Sequence, residues 1–111
     1  MDISFSTSKL AKIFNDGERL IRVYGSPNAK KIVNRMALLK ASRCLDDVPS
    51  VPPCRCHPLH HNREGQFSVD LAHPFRLIFV PNHNPLPQKE DGDIDLKQVM
   101  AITIIEVEDY H

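Results

Sequence analysis

Apolar positions recur at two different periods along this chain, and the change of period divides it. In DISFS, Ile3 and Phe5 alternate with polar neighbours, which predicts a short first strand. TSKLAKIFND then places Leu10, Ile13 and Phe14 at helical spacing, with Asn15-Asp16-Gly17 as a stop. ERLIRVYG is ambiguous and extends the helical stretch. The clearest signal lies in GSPNAKKIVNRMALLKAS. Ser26 is the expected N-cap, and Pro27 suits the first helical position, where its missing N–H costs nothing. Ala29, Ile32, Val33, Met36 and Leu39 form one apolar stripe, with Lys30, Lys31, Arg35 and Lys40 largely outside it.

Pro49, Pro52 and Pro53 mark LDDVPSVPPCR as a linker, and beyond it the period switches to two. QFSVDL puts Phe67, Val69 and Leu71 on one face, with Ser68 and Asp70 on the other. After an AHP turn, FRLIFV reads as a strand apolar on both faces except at Arg76. An acidic, proline-rich connection, PNHNPLPQKEDGDIDLKQ, precedes a last strand, AITIIEV. It is long for an antiparallel link, which points to a functional or mobile segment. No internal repeat is visible. The pattern predicts one α+β domain over residues 1–111, an N-terminal strand and two helices packed on an antiparallel sheet.

Length and composition narrow this further. At 111 residues the chain is large enough for one core without staples. It has no run of about 18 apolar residues, so no membrane span is expected, and MDISFSTSKL has no secretory-signal pattern. A cytoplasmic protein with Cys44, Cys54 and Cys56 reduced is the expectation. Net charge is zero, yet residues 1–80 carry 12 Lys/Arg against 7 Asp/Glu, and residues 81–111 carry 2 against 7. A basic body with an acidic final third leaves a nucleic-acid partner open.

Three places depart from a plain core. Arg76 sits inside an apolar strand, where an unpaired guanidinium is costly, so it must meet a carboxylate such as Asp70 or face a wet cleft as a phosphate clamp. CRCHPLHHNREG gathers Cys54, Cys56, His57, His60 and His61. Thiolate and imidazole suit zinc, but C-x-C is not the usual finger spacing and no second ligand pair follows, so no metal is assigned. His57, held extended before Pro58, projects from the start of the sheet. Finally, VEDYH runs from an apolar strand straight into Asp109, Tyr110 and His111. If the alternation holds, Thr103, Ile105, Val107, Asp109 and His111 share one side, and Asp109 would fix the tautomer of His111.

CHPLHHNREGQFSVDL, then FRLIFV, then a closing VEDYH resembles the HigB-type branch of the RelE/ParE toxin superfamily, over nearly the whole chain. The order of H-P-L, a strand arginine and a C-terminal D-Y-H carries the resemblance. It implies a RelE-like, microbial-ribonuclease-like fold and a toxin of a type II toxin–antitoxin system. Such a toxin enters the ribosomal A site, cuts mRNA there as an endoribonuclease, and is neutralised by a cognate HigA-like antitoxin. The family's catalytic positions fall on His57, Arg76, Asp109, Tyr110 and His111. Where the family commonly has Lys-Gly after H-P-L, this chain has His60-His61.

RNA cleavage by attack of its own 2′-hydroxyl needs a base for that hydroxyl, an acid for the leaving 5′-oxygen and a cation for the phosphorane. In this scheme His57 and His111 serve as base and acid, in an order the sequence leaves open, and Arg76 stabilises charge on phosphate. Tyr110 stacks on a splayed base and Asp109 orients His111. No cofactor or metal is required, since the nucleophile belongs to the substrate. His60, Arg55 and Arg63 are candidate substrate contacts, with Lys30, Lys31, Arg35 and Arg43 as further phosphate contacts on mRNA or ribosomal RNA. Two alternatives keep the fold: a ParE-like gyrase inhibitor and a catalytically degenerate antitoxin-binding protein. A small metal protein using Cys54, Cys56 and a histidine is a third.

Overall fold

The computed structural model describes residues 1–109; Tyr110 and His111 lie outside the described residues. Strands β1 (Asp2–Phe5), β2 (His57–Pro58), β3 (Phe67–Asp70), β4 (Phe75–Pro81) and β5 (Ala101–Asp109) form one sheet in the order β1-β5-β4-β3-β2. The last four are antiparallel neighbours, but β1 pairs parallel to β5, with Asp2 beside Ala101 and Phe5 beside Ile104. The sheet is therefore mixed, not purely antiparallel as expected. A strand that leads into helices and returns only at the far end of the chain is free to pair parallel with the final strand.

Three helices, one more than expected, follow β1. In α1 (Ser8–Phe14), Thr7 caps by accepting from the Leu10 N–H at 3.1 Å. Asp16 does not merely end α1: it caps α2 (Gly17–Tyr24), accepting from the Glu18 and Arg19 N–H groups. ERLIRVY is thus a helix of its own. Its turn into α3 (Ser26–Ala41) is made at Gly25, whose φ of +84° suits a residue without a Cβ. Gly25, not Ser26, is the N-cap of α3, which moves Ser26 and Pro27 into the first turn.

Leu10, Leu20, Ile32 and Leu39 from the helices meet Phe67, Val69, Leu77, Phe79, Ile102 and Ile104 from one face of the sheet to make the core. Of the expected α3 stripe, Val33 is 58% exposed while Arg35 is 4% exposed. Arg35 occupies the inner face one turn from Ile32 and bridges to the sheet. Its Nε donates to the Asp70 carbonyl oxygen at 2.7 Å and an Nη to the Pro53 carbonyl oxygen at 3.3 Å. Its planar fork ties the proline linker to β3, so it is not the phosphate contact its charge suggested. Asn28, also buried, accepts from the Ala72 N–H at 3.0 Å and fixes the β3–β4 turn to α3. No helix among the described residues is long and apolar enough to cross a membrane.

One irregularity decides what the other face of the sheet carries. Phe79 pairs with Ile104, but Ile78 pairs with Glu106, so Ile105 is an extra residue in β5. Before this bulge Ile102 and Ile104 face the core. After it Val107 does, and Glu106 and Glu108 turn to the opposite face. Thr103 therefore does not share a side with Val107 and Asp109, as a regular alternation would have it.

Candidate functional site

The face away from the helices is built from a cross-strand row, His57, Ser68, Ile78 and Glu106, beside a second row of Asp70, Arg76 and Glu108. Ser68 and Ile78 are fully buried and Arg76 is 9% exposed. Over these rows lies an open depression of about 510 Å³, walled by residues His57 to Arg63 together with Arg76 and Glu108. Four of the sequence-predicted site residues, His57, His60, Arg63 and Arg76, therefore converge on one hollow. Strand alternation predicts His57 and His60 on opposite sides. They converge because β2 ends at Pro58, after which the Leu59 N–H donates to the Gln66 carbonyl oxygen and the chain curls back.

The histidine is held from one side. Its Nδ1 lies 2.8 Å from the Arg55 carbonyl oxygen. A carbonyl can only accept, so Nδ1 carries the proton and Nε2 keeps its lone pair in the neutral ring. Nε2 is 3.5 Å from the buried Ser68 hydroxyl, a long contact in which Ser68 donates. This leaves Nε2 available to accept a proton from a better donor.

The guanidinium groups are held by acids from β5. Arg76 Nε donates to Glu108 Oε2 at 2.6 Å, and Arg63 Nη donates to Glu108 Oε1 at 2.9 Å. Arg63 also reaches Glu106 at 3.5 Å and donates to Gln66 Oε1 at 2.8 Å. One carboxylate thus bridges two cations, and with little solvent around Arg76 and Glu108 the pair is screened less than a surface pair. Arg76 is paired with Glu108, not with Asp70. Asp70 instead takes Arg55 at 3.2 Å, a largely exposed pair of little energetic weight. Arg55 consequently contributes its carbonyl to His57 and does not wall the depression.

Asp109 sits opposite Phe75 in the register, on the face of the sheet away from Glu108, and is exposed. Tyr110 and His111, the remaining two predicted catalytic positions, are outside the described residues. Lys30 and Arg43 are exposed, and Arg43 faces Asp47 at 3.5 Å, away from the depression.

Glu106, Glu108 and Ser68 are the residues of the site that sequence reasoning missed. The signal for the two acids was present in IIEVED: two acids flanking a valine inside an apolar strand are the same anomaly as Arg76. The doubled Ile104-Ile105 ahead of them is the trace of the bulge.

Cys54 and Cys56 are buried in the core beneath the site. Burial pushes the Cys56 thiol up to about 12, with the neighbouring Cys54 adding to the effect. Burial likewise raises Cys54, against an opposing pull from Arg35. Among the described residues no group of three His, Cys, Asp or Glu side chains is arranged to hold a metal ion.

No known family model matches this chain, and no curated protein is detectably similar to it in sequence.

Proposed function

We propose that the chain is a ribosome-dependent mRNA endoribonuclease, the toxin of a type II toxin–antitoxin pair, with the RelE-like fold of the HigB-type branch. The observation that carries this reading is that His57 and Arg76, brought from the separate H-P-L and F-R-L segments, wall one depression open enough for a phosphodiester. A fixed tautomer with Nε2 as acceptor suits removal of the 2′-hydroxyl proton. The 2′-oxygen then attacks phosphorus, and Arg76, with Arg63 beside it, takes the negative charge that grows on the phosphoryl oxygens. The leaving 5′-oxygen then takes its proton from the second acid–base group, for which His111 is the position the resemblance supplies. The products are a 2′,3′-cyclic phosphate and a free 5′-hydroxyl, so no electron changes hands and no metal-bound water is consumed. A HigA-like antitoxin and the ribosomal A site are the partners in this reading.

The test is inducible expression of the intact chain, of His57→Ala and of Arg76→Met, scoring growth and mapping mRNA ends. Arrest with in-frame mRNA cuts by the intact chain alone is expected. Arrest of equal strength in all three removes these side chains from the mechanism.

A second reading has its own observation: Glu108 and Glu106 already engage Arg76 and Arg63, and a histidine stands at the family's lysine position. On that reading the chain is a silent antitoxin-binding relative, and the intact chain neither arrests growth nor cuts mRNA.

A further inference from the structure

Two non-glycine residues among those described have left-handed backbone, Arg55 at φ +47° and His61 at φ +60°, and they bracket His57. Such backbone is costly for a residue with a Cβ, and it collects at sites that use it. Arg55 has an identifiable use. Its carbonyl oxygen is the one that meets His57 Nδ1 at 2.8 Å.

A regular strand could not make that contact. Its carbonyls point across the sheet to neighbouring strands, whereas its side chains stand perpendicular to the sheet. The pairing of His57 with Ser68, carried back two residues, sets Arg55 opposite Asp70. The two side chains do meet there, at 3.2 Å, and the Asp70 N–H donates to the Cys54 carbonyl oxygen at 2.8 Å. Yet β2 begins only at His57. The left-handed turn takes the Arg55 carbonyl out of the ladder, and the imidazole receives it instead.

That turn is fixed from several sides. The Arg55 N–H donates to the Val51 carbonyl oxygen at 3.0 Å. The Cys56 N–H, in the same peptide group as the Arg55 carbonyl, donates to the Pro49 carbonyl oxygen at 2.9 Å. Cys54 and Cys56 on either side are buried in the core. A glycine would take up this backbone without strain.

We propose that Arg55 is a positioning residue that acts through its main chain: its left-handed backbone delivers the carbonyl that keeps the proton on His57 Nδ1 and leaves Nε2 to accept one. The exposed pair with Asp70 adds little to this. The importance of the tautomer for RNA cleavage rests on the nuclease reading, but the tautomer itself is measured without substrate.

The test records long-range ¹⁵N–¹H spectra of the ¹⁵N-labelled full chain in mildly alkaline buffer, where protonated and lone-pair ring nitrogens have well-separated shifts. The His57 signals are those missing from His57→Ala. The wild type is expected in the Nδ1–H form. Arg55→Val, whose branched side chain resists positive φ, is expected to move the tautomer ratio about fivefold toward Nε2–H, the equilibrium worth of one neutral hydrogen bond. Arg55→Gly, which loses the same side chain but keeps the turn, is expected to hold the wild-type ratio, and so is Asp70→Asn. Backbone amide spectra show whether each variant is folded, and Arg55→Gly decides the matter even if Arg55→Val is not. A wild-type Nε2–H form, or a folded Arg55→Val with the wild-type ratio, overturns the assignment. A ratio that moves in Arg55→Gly or Asp70→Asn gives the tautomer to the side-chain pair and also overturns it. The mapped mRNA ends keep the two ideas apart. The expected tautomers with no mRNA cutting leave the positioning role standing and remove the nuclease reading. Cutting at the wild-type rate by a variant whose His57 is in the Nε2–H form does the reverse.

Discussion

Glu108 holds Arg76 at 2.6 Å through Nε while its other oxygen holds Arg63, so a phosphate entering the depression competes with a carboxylate already there. Glu108→Gln relieves that competition. Affinity for inorganic phosphate or a short oligoribonucleotide is expected to rise severalfold, and to fall again steeply with salt. The same change removes charge-assisted hydrogen bonds from a poorly solvated pair, and urea unfolding is expected to show about 1–3 kcal/mol less stability. Unchanged phosphate binding would mean that Glu108 does not guard the arginines.

Arg76→Lys separates charge from geometry. A lysine keeps the cation but loses the planar fork that can face Glu108 and phosphate together. On the nuclease reading, cleavage is expected to fall about 10²–10³-fold, the usual cost of one preorganised donor to a developing oxyanion. Single-turnover assays on programmed ribosomes measure it. A lysine variant cutting at the wild-type rate would reduce Arg76 to a point charge.

Arg35 makes the contrasting prediction. It is buried and its fork ends on the Asp70 and Pro53 carbonyl oxygens. Arg35→Ala is expected to cost about 2–4 kcal/mol in urea unfolding, since it strands buried acceptors and opens a cavity. If the chain binds RNA as proposed, the residual folded protein should do so with an unchanged salt slope. For Lys30→Ala the stability is expected to change by less than about 0.5 kcal/mol, because it is a solvated helix position.

Alkaline pH should unfold this protein through its core thiols. In the folded chain Cys56 ionises only near 12, against an ordinary 9.0, because burial disfavours the thiolate. The unfolded chain gives up the proton earlier. Its contribution to stability is therefore complete below about pH 9 and is lost as pH rises toward 12, with a slope approaching about 1.4 kcal/mol per unit. Cys56→Ala is expected to flatten the decline between those limits, as read by urea midpoints at stepped pH. A slope the same in both proteins would assign the alkaline loss to other groups.

How far these features could be read in the sequence varies with how local their causes are. DISFS, QFSVDL, FRLIFV and AITIIEV all became strands, because alternation in the first two and short apolar runs in the others are properties of adjacent residues. The convergence of His57 and Arg76 was legible as two misfits in otherwise ordinary segments. Helix α2 was hidden because Leu20 is its one buried residue, while Ile21 and Val23 face solvent and blur the stripe. Arg35 was misplaced because charge argued outward while its spacing from Ile32 argued inward, and buried carbonyl partners settle such a contest only in three dimensions. The parallel contact of β1 with β5 joins the two ends of the chain, and no local pattern encodes it. Glu106 and Glu108 were lost for a subtler reason: a count of two was carried straight through Ile105.

That single isoleucine has an evolutionary and engineering corollary. Were the strand to run regularly through it, Val107 and its acidic neighbours would exchange destinations, sending two anions inward and an aliphatic group out to the hollow. Deleting it would instead iron out the ladder and keep Ile104 opposite Phe79 and Glu106 opposite Ile78, so the working surface tolerates loss of this residue but not its regular accommodation.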